Sequence, residues 1–154
     1  MLFEPDLTYE NAVKIERLDS TNLLSSCSDH PILLEQQEWK TCEHYYSYKI
    51  VRSAAIAESI KQAATGQQAY ELASPWYRYK VPGWKKMRTT LMMRALFTKV
   101  QMYPEVREAL LATGDNKIIE SSQYDYFWGV GRDMRGGNQF GKIWMDIRTR
   151  IGEK

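Results

Sequence analysis

The sequence predicts a mainly α-helical fold with a small β element, an α+β domain occupying residues 1–154 as one unit. Three observations lead there. The longest periodic stretch, Trp84 to Tyr103, has helical spacing. Helix start and stop signals recur along the chain, as Thr41, Pro104 and Gly114. Strand-like runs are few and short.

Taken in order, residues 1 to about 20 read as peripheral. Ile32 to Leu34 and Trp39 flank polar, turn-like residues, the pattern of a short hairpin. Thr41 is placed to cap a helix through CEHYYSYKIV, and AAIAESIKQAAT reads as a second helix stopped by Gly66. QQAYELAS makes a short third helix, ending before Pro75. In the long helix Met87, Leu91 and Ala95 fall on one face. Pro104 opens the next helix, PEVREALLAT, and Gly114 closes it. KIIESS is a strand, and a glycine-rich loop from Gly129 to Gly137 leads into a last helix, about Asn138 to Ile151.

Size and composition fit one soluble domain: 154 residues, 44% hydrophobic and 26% charged. The net charge of +2 gives little long-range pull on nucleic acid, leaving room for a local basic patch. Five Trp and ten Tyr are many for this length; they supply either a ring-rich core or a stacking pocket. Cys27 and Cys42 match no metal or redox spacing and read as reduced thiols. The start, MLFEPDLTYENAVK, lacks the basic head and apolar run of a signal peptide, and no run approaches the roughly 20 apolar residues of a membrane span. The expectation is a cytoplasmic protein with no membrane contact, no metal and no cofactor.

The stretch GGNQFGKI, residues 136 to 143, nearly matches the nucleotide-binding loop GxxxxGK[ST]. Ile143 stands where that loop needs a hydroxyl for Mg²⁺, and DMR precedes it instead of a buried strand. An ATPase is therefore excluded. The larger loop, GVGRDMRGGNQFG, carries two Arg and ends at a helix N-terminus, where free N–H groups and the helix dipole favour an anion. Its glycines equally suit a plain connector.

Four segments in fixed order carry more weight. EWKTCEHYYSYKI (38 to 50), GWKKMRTTLM (83 to 92), LLATGDNKIIESSQYDYFWGVG (110 to 131) and GGNQFGKIWMDIR (136 to 148) together resemble the YbiA-like, or NADAR, family. That family comprises small proteins acting on ribosylated nitrogen heterocycles. The likeness covers residues 38 to about 150, while 1–30 match poorly. NLLSSCSDHPI stands where members carry a Ser-Asn-aromatic element. Gly83 replaces a common acidic residue, and Ile50 a common Phe.

The resemblance implies an N-glycosidase that cleaves the ribose C1′–N bond of phosphoribosylamino-pyrimidine intermediates of riboflavin biosynthesis. Removal of ADP-ribose from guanine is the runner-up, with nucleic acid only as the carrier of that substrate. A non-catalytic module binding ADP-ribose or a nucleotide is the third reading. Oligomeric state is left open.

Cleavage passes through an oxocarbenium-like cation, which needs a carboxylate for its charge and a proton for the departing nitrogen. Glu43 and Asp125 are the pair the resemblance points to. Taken alone, Glu43 reads first as a first-turn helix residue and Asp125 as a turn carboxylate. Lys49 is the alternative nucleophile, through a Schiff base, provided burial lowers its pKa. Trp84 and Trp128 are the candidate stacking surfaces, with His44 and Tyr45 beside Glu43. Gly129, Gly131 and Asn138 would present backbone and amide donors to a ribose or phosphate, and Arg132 or Arg135 would add charge. Met145 and Ile147 are expected to pack the last helix.

Overall fold

The structure is a computed structural model, describing residues 9–153. The eight residues at the start, part of the segment read as peripheral, lie outside that range. The elements run β1 (Val13–Ile15), β2 (Ile32–Leu34), β3 (Gln37–Trp39), α1 (Cys42–Ile50), α2 (Ala54–Gln62), α3 (Gly66–Ala73), α4 (Trp84–Met102), α5 (Pro104–Leu111), β4 (Ile118–Glu120) and α6 (Gln139–Gly152). A mainly α fold with a small β element is what these residues form. Chain contacts divide the described residues into 17–109 and a unit made of 9–16 with 110–153.

In the unit of residues 17–109, α1 is the hub, packing on α2, α3 and α4. Thr41 starts it as expected: its backbone is extended and its hydroxyl accepts the His44 N–H at 3.2 Å. Ser53 and Thr65 cap α2 and α3 in the same way, on Ile56 and Gln68. Gly66 therefore does not stop α2, as its residue type suggested; α2 ends at Gln62 and Gly66 is the first residue of α3. The reason is steric. A Cβ at Gly66 would lie 2.7 Å from the Cys27 sulfur, so the glycine permits close approach and does not serve as a breaker.

The buried face of α4 carries Leu91, Met92, Ala95, Leu96 and Val100, spaced for one side of a helix. Met87, assigned by periodicity to that face, is 39% exposed, so the face begins a turn later. β2 and β3 form the expected hairpin, with Ile32 opposite Trp39 and a two-residue turn at Glu35 and Gln36, both at positive φ.

In the other unit, β1 pairs with β4 in parallel, Val13 opposite Ile118 and Ile15 opposite Glu120, and α6 packs on β4. Ile118, Ile119, Phe140, Ile143, Trp144, Ile147 and Ile151 make its core. Each such side chain contributes about 1.5–3 kcal/mol by leaving water. Gly114 has the left-handed φ of 61° expected after α5. No helix among the described residues is long and apolar enough to cross a membrane.

Candidate functional site

The chemistry of residues 17–109 gathers at the start of α1. Glu43 is wholly buried, and its carboxylate receives Arg17 from two sides, Nη2 on Oε1 at 2.5 Å and Nε on Oε2 at 3.2 Å. The Ser26 hydroxyl lies 2.7 Å from Oε2, and Ser47 donates to Oε1 at 3.4 Å. Ser26 also fixes the backbone: its N–H donates to Arg17 O at 2.8 Å, and its carbonyl accepts the Glu43 N–H at 2.9 Å. The Arg17 guanidinium sits over the rings of Tyr70 and Tyr46, at 5.1 and 5.7 Å. Arg17 and Ser26 escaped the sequence reading because both lie in an irregular segment 26 and 17 residues away from Glu43.

A cavity of about 400 Å³ opens beside this centre, lined in part by Cys27, Lys40, Thr41, Thr65 and Gly66. Its size falls within the range of small-molecule sites. Cys27 and Thr41 in its wall flank Ser26 and Glu43 along the chain. The N-termini of α1 and α3 both end there, a setting that favours an anion. Burial first, and then Glu43, push the Cys27 thiol up to about 12, so this sulfur is not a nucleophile at neutral pH.

Other residues singled out from the sequence have distinct places. His44 is buried, with Nδ1 at 2.8 Å from the Thr41 hydroxyl and Nε2 at 2.9 Å from Ala63 O. Both ring nitrogens are thus engaged by protein, and burial lowers the pKa of the ring. Tyr45 is buried edge-on against Trp39. Lys49 is about one-third exposed, with its ammonium 3.0 Å from Glu35. The burial that the Schiff-base reading needs belongs instead to Lys99, whose Nζ donates to Ser25 O at 2.7 Å and to Ser28 Oγ, and whose pKa burial lowers to about 8. Trp84 opens α4 half-exposed, with Arg88, Lys80 and Lys85 around its indole at 5.3, 5.8 and 6.0 Å.

The residues singled out between 125 and 138 belong to the other unit. Asp125 Oδ1 accepts the N–H groups of Phe127 and Trp128, at 3.1 and 2.7 Å, which fixes the turn. Trp128 is buried against Phe127 and Phe140. The N–H groups of Gly137, Asn138, Gln139 and Phe140 donate to the carbonyls of Tyr126, Gly129, Phe127 and Trp128. Donors that an anion would need at the start of α6 are therefore already used. The Asn138 amide is used likewise, accepting from Glu120 N at 2.9 Å and donating to Ile118 O at 3.0 Å.

Glycines of this segment are packing residues. A Cβ at Gly141 would land on the Ile118 carbonyl, one at Gly136 on the Gly129 carbonyl, and one at Gly129 on the Glu120 carboxylate. Gly131 has a φ of 71° and lies against the Tyr126 ring. Arg132 and Arg135 are exposed. The near-match to a nucleotide-binding loop thus reflects the close approach of α6 to β4. Glu120, unremarked in the sequence, is a buried carboxylate accepting from Ser122 N and Oγ, both at 2.7 Å.

Comparison with known proteins extends this picture. The family model described as NADAR domain matches residues 13–152. The chain is 38% identical over 130 residues to N-glycosidase Npun_R5314 of Nostoc punctiforme, covering 82% of this chain and 83% of that protein. It is 26% identical to N-glycosidase YbiA of Escherichia coli, over 79% of this chain and 76% of the other. Riboflavin biosynthesis protein VVA0006 of Vibrio vulnificus is 30% identical over 75% of this chain, which spans only 31% of that longer protein. The NMR structure of E. coli YbiA superposes with a TM-score of 0.79 over 91% of this chain and 85% of the other, at 24% identity, which establishes a shared fold.

Proposed function

This chain belongs to the NADAR domain family, and we propose that, as an N-glycosidase of that family, it hydrolyses the ribose C1′–N bond of phosphoribosylamino-pyrimidines, reactive intermediates of riboflavin biosynthesis. In this reading residues 1–154 work as one cytoplasmic domain. The observation that carries it is the sealed Glu43–Arg17 pair within the α1 motif. A buried ion pair gains little stability over apolar residues of equal volume, because desolvation offsets the attraction. Its presence is better explained by chemistry that needs a carboxylate.

Glu43 stabilises the cation that develops at C1′ or activates water. Since Glu43 is enclosed by Arg17, Ser26 and Ser47, substrate must draw one of them aside. A ribose 5-phosphate gives Arg17 an alternative anionic partner, which supplies a reason for it to move. The partial exposure of Lys49 and its Glu35 partner favour water attack over a Schiff base. Trp84, half-exposed at the start of α4, serves as a stacking surface in this reading.

The reading is tested by incubating the protein separately with the phosphoribosylamino-pyrimidine and with ADP-ribosylated guanine nucleotide, and following the freed sugar phosphate by mass. Release of ribose 5-phosphate from the first alone supports it. Turnover of the second alone transfers the assignment to an ADP-ribosyl-guanine glycohydrolase. Binding without turnover of either leaves a non-catalytic module.

A further inference from the structure

From Leu72 to Pro104 the chain contains no Asp or Glu, yet it carries Arg78, Lys80, Lys85, Lys86, Arg88, Arg94 and Lys99. The overall charge of +2 conceals this one-sided stretch. At its start lies WYRYK, residues 76 to 80. Trp76 is 94% exposed, Tyr79 78% and Tyr77 60%. Rings of this size are normally buried, so three in water within four residues are informative.

Their exposure does not come from a loose backbone. Arg78 N–H donates to Pro75 O at 2.9 Å, and its Nε to Leu72 O at 2.9 Å. Tyr79 O accepts from Arg52 N at 3.0 Å, Val81 N donates to Ile50 O at 2.9 Å, and Lys80 bridges to Val51. The main chain is tied to the end of α1 while the rings project. Cations stand beside them: Arg78 lies 5.6 Å from the Tyr77 ring, and Lys85 continues the row into the first turn of α4.

We propose that the exposed rings of Trp76, Tyr77 and Tyr79, with Arg78, Lys80, Lys85 and Lys86, form a binding surface for single-stranded nucleic acid. Unpaired bases offer flat faces for the rings, and the phosphate joining each pair of bases offers an anion for the interleaved cations. An acidic peptide would use the charges but not the flat rings. A membrane-surface segment separates cations and rings onto opposite faces of a helix, whereas here Arg78 and Lys80 are interleaved with the rings of Tyr77 and Tyr79 outside any helix. A duplex hides the base faces. The proposal goes beyond the N-glycosidase reading, because Trp76, Tyr77 and Tyr79 lie outside the residues assigned to bond cleavage.

The test measures fluorescence anisotropy of a labelled oligothymidylate of roughly 12 nucleotides with the full chain, beside a duplex of equal length, inorganic polyphosphate, and vesicles of phosphatidylcholine with phosphatidylserine. Expected are saturable binding of the single strand and weaker binding of the duplex. The double variant Trp76→Ala, Tyr79→Ala should lose at least about tenfold for the oligothymidylate, with polyphosphate binding unchanged and N-glycosidase rate retained. Arg78→Gln with Lys80→Gln should lower the salt-dependence slope by about 1.4. Absence of single-strand binding, an aromatic variant that binds like the parent, or vesicle binding in place of oligonucleotide binding would overturn the proposal.

Discussion

The start of α1 and the glycine-rich segment before α6 both carry dense sequence motifs, and they use their polar groups in opposite ways. Around Glu43, side chains from distant positions converge on a buried carboxylate. Around Gly129 to Gly141, backbone N–H groups meet backbone carbonyls, and the Asn138 amide closes onto β4. Concentrated buried charge is expensive and calls for a function. Satisfied backbone with glycines under carbonyl oxygens calls only for close packing. A motif therefore acquires meaning from where its polar atoms end.

The sharpest break between the two regions comes from removing charge. Arg17→Met leaves Glu43 buried and unpaired and should cost about 3–5 kcal/mol in urea unfolding. Adding Glu43→Gln to that variant should recover much of the loss, whereas additive losses would deny the pairing. Next in size, Gly141→Ala drives a methyl into the Ile118 carbonyl and should cost about 1–3 kcal/mol. Phosphate should not alter that cost; a phosphate-dependent rescue would restore the anion-site reading of the glycine loop.

Lys99 sharpens the contrast through pH. Its folded pKa, about 8, lies below the ordinary 10.5, so between these values the unfolded chain holds more protons. Stability contributed at this position should rise with pH in that window, by about 1 kcal/mol between pH 8 and 9, relative to Lys99→Met. A flat difference would mean that the ammonium is not buried. The smallest effect belongs to the Lys49–Glu35 pair, about one-third exposed, where Lys49→Met should change stability by under about 1 kcal/mol. Chelation with EDTA should leave turnover unchanged, and a loss would reveal a metal.

Much of the helical layout was legible because helix ends are written locally. Thr41 caps α1, Pro104 opens α5, and the turn between Leu34 and Gln37 follows from polar residues between apolar ones. β1 was not legible: three residues with no pattern of their own become a strand only by pairing with β4, about a hundred residues on. Gly66 misled because the same residue type ends helices and permits close approach. At the candidate site, Glu43 was visible in its motif, but Arg17 was not, since nothing near position 17 signals a partner at position 43. The amides before α6 looked available because a sequence does not show which carbonyls will return to meet them.

The most direct measurement is single-turnover hydrolysis of the phosphoribosylamino-pyrimidine by Glu43→Gln, with folding checked by circular dichroism and affinity measured on the same sample. The account predicts a folded variant that still binds and reacts at least about 100-fold more slowly. A folded variant with undiminished rate would show that the carboxylate enclosed by Arg17 takes no part in breaking the bond.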